Sequence, residues 1–112
     1  MPGKPKTYLY VLDEIVPLDM GFAELLELWE DDGMKPFDKV RGLVEEKLGD
    51  IKEASFYAAY FDPEEMTAVI EYMVKCEIGR VGVKIVHAEN PVKAVMEYLE
   101  AEKRGELRHR TS

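Results

Sequence analysis

The alternation of apolar and polar positions is clearest in the second half of the chain. Ala54 to Phe61 is apolar at every position but Ser55, with Phe56, Ala58 and Tyr60 on one face and Tyr57, Ala59 and Phe61 on the other. A segment apolar on both faces reads as a central strand. Asp62-Pro63-Glu64-Glu65 follows, a capping side chain, a proline at the first helical position and an acid three residues after the cap. The pattern predicts a helix with Met66, Val69, Ile70, Met73 and Val74 on its buried stripe and Gly79 at its end. Arg80 to Ala88 returns to strand alternation, and Lys84 marks a face or edge that meets water. Asn90-Pro91 repeats the cap-plus-proline device, and Val92, Val95, Met96 and Leu99 form the inward stripe of a last helix before Gly105.

Two more helices are predicted in the first half. Phe22, Leu25, Leu26 and Trp29 stand at the spacing of one helix face, with acids on the other sides and Gly33 closing the element. A second helix runs from about Pro36 to Leu48, with Phe37, Val40, Val44 and Leu48 inward and Gly49 after it, so the pair forms a helical hairpin. Tyr8 to Ile15 satisfies both the strand and the helix period. The expected fold is therefore an α/β (or α+β) domain. Its sheet has two or three strands and contains a right-handed β-α-β unit over residues 54–88, with about four helices packed on it. So small a sheet is marginal by itself and calls for pairing across a dimer edge or for heavy helical cover.

Composition sets the frame. The 112 residues are 46% apolar and 34% charged, enough to fill and cover one domain over residues 1–112. Cys76 is the only cysteine, which leaves no intrachain disulfide and no cysteine-rich zinc site. The longest strictly apolar run, Phe56 to Phe61, is far below the roughly 20 residues of a membrane span. With no secretory pattern after the basic start, a cytoplasmic, membrane-free protein is expected. Glutamine is absent and Asn90 is the lone asparagine, a bias that resembles ion-pair-rich proteins of hot habitats and predicts thermostability.

Charge is unevenly spread. Residues 7–103 carry 10 Lys/Arg against 22 Asp/Glu, whereas Lys4, Lys6, Arg104, Arg108 and Arg110 make the ends basic. The ends, residues 1–6 and 104–112, are expected to be solvated and disordered. An acidic body repels phosphate backbones, so a nucleic-acid accessory role would run through those tails alone and ranks last.

Candidate chemistry is sparse. If the strands were parallel, Asp13, Asp62, Glu89 and His87 would converge on the rim beyond their carboxyl ends, a set suited to acid-base chemistry or a divalent cation. Capping accounts for Asp62 without any catalytic role, and an exposed turn for Asp13. No glycine-rich phosphate loop follows either strand, and no motif calls for a cofactor. His109 has no second ligand at metal spacing. Tyr57, Tyr60, Tyr72 and Tyr98 are many tyrosines for a small acidic domain, and tyrosine is enriched at protein interfaces. The leading expectation is a non-enzymatic interaction or assembly module, a homodimer, ahead of a small-ligand or metal-dependent enzyme built on the rim.

Overall fold

The computed structural model describes residues 4–109. In chain order the elements are β1 (Lys6–Val11), β2 (Glu14–Leu18), α1 (Phe22–Asp31), α2 (Lys35–Leu48), β3 (Ile51–Asp62), β4 (Thr67–Cys76), β5 (Gly79–Ala88) and α3 (Pro91–Lys103). The strands form one five-stranded sheet in the order β2-β1-β5-β4-β3, and every neighbouring pair is antiparallel. This overturns the expected two- to three-stranded sheet, its β-α-β unit and its fourth helix.

The main correction lies at Asp62-Pro63-Glu64-Glu65. These residues begin a hairpin, not a helix: Glu65 N–H donates to Asp62 Oδ1 (3.4 Å), Met66 N–H donates to the Pro63 carbonyl (3.2 Å), and Met66 takes a left-handed φ of 52°. Asp before Pro suits the start of a β-turn as well as a helix cap, because both need a side-chain acceptor and a fixed φ. The following residues are apolar on both sides of β4 because both faces of the sheet are covered, so they satisfy the helical period by saturation.

The other early elements resolve simply. Residues 8–15 span β1, a tight turn at Leu12 (φ 55°) and the start of β2, so the stretch that fitted both periods is two strands around a turn. α1 and α2 form where their apolar stripes predicted them.

Register assigns side chains to layers. Leu9, Val11, Ile70, Tyr72, Val83 and Ile85 face the α1–α2 hairpin and close the larger core with Leu25, Phe37, Val40 and Val44. Ala58, Val69, Val86 and Ala88 face the other way and pack with Ala94, Tyr98 and Ala101 of α3. The sheet is thus sandwiched between the helical hairpin and α3.

β3, expected at the centre, is an edge strand. A bulge between Phe56 and Ala58 pushes Tyr57 outward to 39% exposure. Part of the edge is capped by the segment that follows α3: Ala59 N–H donates to the Arg108 carbonyl (2.9 Å) and Arg108 N–H returns a bond to the Ala59 carbonyl (2.8 Å). Leu107 is buried beside α3, and the Arg108 guanidinium lies 5.2 Å from the centre of the Phe61 ring. The expectation of solvated, disordered tails therefore fails at Leu107 to His109: besides the buried leucine, the bridge and the Phe61 contact, His109 Nδ1 lies 3.1 Å from the Tyr57 carbonyl, while Arg104 to Glu106 stay exposed. At the other end Lys6 belongs to β1, while residues 1–3 and 110–112 lie outside the described part.

Candidate functional site

Antiparallel pairing decides which of the candidate residues meet. The carboxyl ends of β3 and β5 lie at the same end of the sheet, on either side of the start of β4. Asp62 and Glu89 thereby line one groove of about 500 Å³, together with Glu65, Thr67, Asn90, Lys93 and Glu97. Asn90 caps α3 by accepting from Lys93 N–H (3.1 Å), so its amide oxygen is engaged. Four carboxylates against one lysine make the groove electronegative. Tyr60 feels it: burial first, then the Glu97 and Asp62 charges, hold its phenol above the usual range. Among the described residues no three His, Cys, Asp or Glu side chains come together to hold a metal ion.

The other two rim candidates lie elsewhere. Asp13 sits in the β1–β2 turn, at the opposite end of the sheet from Glu89, because β1 runs antiparallel to β5. His87 shares the groove's end but points to the other face of the sheet, where it stacks on Phe22 of α1 (centroids 5.1 Å). It lines a cavity of about 350 Å³ with Lys6, Thr7, Asp19 and Gly21. The proton positions follow from donor counting. The Thr7 hydroxyl has one hydrogen and donates it to the Met20 carbonyl, so at 2.8 Å from His87 Nδ1 it can only accept. Nδ1 therefore carries the imidazole proton, and Nε2 is a buried lone pair with no hydrogen-bond partner among the described residues. Burial pushes the His87 pKa down, which keeps the ring neutral. His87 and the carboxylates of the groove thus face different layers, and the sheet separates them.

The four tyrosines divide between surface and interior. Tyr57 is exposed and donates to Glu102 (2.8 Å), a bond that, with the negative charge, raises its pKa. Tyr60 is half-buried beside the groove. Tyr72 and Tyr98 are fully buried, which removes them as candidates for contact with a partner. They act as internal latches on the two faces of β4. Tyr72 donates to the Gly33 carbonyl (2.5 Å), tying the α1–α2 turn to the sheet, and Tyr98 donates to Glu71 (2.6 Å), tying α3 to it.

Glu71 was missed from sequence, although a lone carboxylate in the otherwise apolar run of β4 is a visible signal. It lies beneath α3, and Lys84 on β5 stands 3.5 Å from its second oxygen. Gly82 makes the space, since a Cβ there would collide with Oε2 of Glu71. Lys84 in turn lies 6.0 Å from the centre of the Tyr10 ring. Burial, reinforced by the Glu71 carboxylate, keeps the Tyr98 phenol protonated far above its usual range. The network pins α3 in one register.

Its consequence is on the far side of that helix. Ala94, Tyr98 and Ala101 take the inward positions, so Val92, Met96 and Leu99, expected inside, point outward with exposures of 51%, 62% and 44%. Val95 alone of the expected stripe is partly buried. The three outward residues fall at steps of four and three and form one apolar ridge along α3. Two alanines flank Tyr98 on the inward face, and the helix's exposed aliphatic side chains are left facing away from the sheet.

No known protein family, curated protein or solved structure matches this chain. Its own geometry therefore carries the functional reading.

Proposed function

We propose that the protein is an assembly module that binds a second copy of itself through the outer face of α3. The observation that carries this reading is the Val92–Met96–Leu99 ridge, held outward by the Tyr98–Glu71 latch. Exposed apolar residues scattered singly are ordinary, but three on one helix face, on an otherwise acidic body, form a surface suited to contact.

The size of the ridge sets the strength of the contact. Completing the burial of six such side chains, three from each copy, contributes about 7 kcal/mol. Flanking ion pairs at the rim add about 1.5 kcal/mol. Association costs at least about 4 kcal/mol in lost freedom. The remainder corresponds to a dissociation constant on the order of 0.1–1 mM. Such a contact is weak between free molecules and becomes effective where copies are held close together.

Sedimentation equilibrium across that concentration range tests the reading. The wild-type mass should climb from 12.9 kDa toward twice that value. Met96→Glu should hold the protein at the monomer mass with unchanged thermal unfolding, since Met96 is exposed and its removal leaves the core intact. A wild-type mass that stays monomeric at 1 mM would refute the proposal.

A further inference from the structure

We infer that the two copies pair with their α3 helices antiparallel about a two-fold axis at Met96, with Lys93 of each against Glu100 of the other. This rests on the proposed self-association through α3 and specifies its geometry.

The argument is one of helical position and charge. At about 100° per residue, Val92, Met96, Leu99 and Lys103 fall on one line down the outer face, and Lys93 and Glu100 lie together on one flank of it. The flank therefore reads base, Met96, acid from Lys93 to Glu100, nearly symmetric in spacing about Met96 and opposite in sign on its two sides. A two-fold contact is isologous, so residue i meets j and j meets i. In an antiparallel helix pair each flank faces the same flank of the partner. Reversing this one brings Lys93 to Glu100 twice, while Met96 meets Met96 and Val92 meets Leu99. The surface complements itself in charge and in apolar position at the same register.

The parallel arrangement lacks this property. There the flank would face the opposite side of the partner helix, setting Glu100 against Glu102 and leaving Lys93 beside Pro91 and Val95. Among the described residues Glu100 has one exposed competitor within the protomer, and Lys93, which borders the acidic groove, makes no side-chain ion pair. Lys103 is 3.8 Å from Glu100 across an exposed i,i+3 pair, and its side chain is 76% exposed and free to swing. Lys93 and Glu100 are likewise exposed. The geometry also sets the acidic groove beside the contact, because Lys93 borders both.

A charge-swap series on the full chain, read by dilution-dependent shifts in 1H–15N spectra between 0.05 and 2 mM, tests the inference (concentrations being about those set by the affinity estimated above). Lys93→Glu and Glu100→Lys should each weaken self-association about tenfold, since each turns two attractive contacts into repulsive ones. The double variant in one chain, Lys93→Glu with Glu100→Lys, should restore it to within about twofold of wild type, because the pairing is recreated with signs exchanged. The double variant also places an acid in the first turn of α3 and a base near its end, which suits the helix dipole and keeps the helix folded. Wild-type association that is indifferent to the single swaps, or a double variant as weak as the singles, would overturn the antiparallel pairing while leaving the α3 contact standing. Absence of association in the wild type would overturn both.

Discussion

Replacing Tyr98 by phenylalanine tests whether the latch beneath α3 holds the helix as described. The change removes one oxygen and leaves the ring, so it opens almost no cavity in a side chain that is fully buried. What is lost is the bond to Glu71 at 2.6 Å. A hydrogen bond to a charged acceptor contributes about 1.5–3 kcal/mol, and the value here should lie near 2 kcal/mol. Glu71 retains Lys84 at 3.5 Å, which is only 16% exposed, and this moderates the cost of its lost donor. The midpoint of urea unfolding should therefore fall with no change in its slope, and the melting temperature should drop by about 8 °C. Glu71→Gln keeps an acceptor for the phenol and removes the charge. A cycle of the two substitutions should then show coupling of about 1 kcal/mol or more. Replacing the whole network, Tyr98→Phe with Glu71→Leu and Lys84→Met, should come close to wild-type stability, since burying charges costs much of what their pairing returns. A Tyr98→Phe shift below about 0.5 kcal/mol would refute the latch, because a bond to a buried carboxylate cannot be lost so cheaply.

Two further perturbations probe the other layers. His87 has a pKa below that of the unfolded imidazole, so between about pH 6.5 and the folded value the unfolded chain binds the extra proton and stability falls as pH falls. His87→Gln should flatten the urea-midpoint profile in that window relative to wild type, and parallel profiles would show that the ring titrates equally in both states. Leu107→Ala should lower stability by about 2 kcal/mol with loss of amide protection at Ala59, because the leucine holds the returning segment that bridges β3. Unchanged exchange at Ala59 would mean that the bridge stands without it.

What was legible in the sequence follows a physical line. The α1–α2 hairpin was readable because its helices each have one wet face, which leaves the apolar stripe in contrast. The start of α3 was readable because the Asn90 cap is a local interaction, but its orientation was not. Length and hydrophobicity favoured Val92, Met96 and Leu99 as the buried stripe, whereas the bond of Tyr98 to Glu71 turns Ala94, Tyr98 and Ala101 toward the sheet. β4 was misread because both of its faces are buried over most of its length, and only Lys75 near its end is wet, too little to reveal the alternation. Strand order depended on the pairing of β1 with β5, across most of the chain, and no local pattern encodes that. The candidate site failed for the same reason. Asp62 and Glu89 were brought together, but antiparallel order sent Asp13 to the far end and register sent His87 to the opposite face. Glu71 could have been singled out as a charge within an apolar strand, although its partners Lys84 and Tyr98 emerge only from pairing.

The central claim is that the outer ridge of α3 is covered by the α3 of a second copy. Isotope-filtered NOE spectra of a mixed sample, half labelled with 13C and half unlabelled at about 1 mM to match the estimated affinity, observe that contact directly. The account predicts intermolecular cross-peaks joining Met96 to Met96 and Val92 to Leu99. Cross-peaks confined to the edge strands β2 or β3, or none at a concentration where the mass has risen, would contradict it.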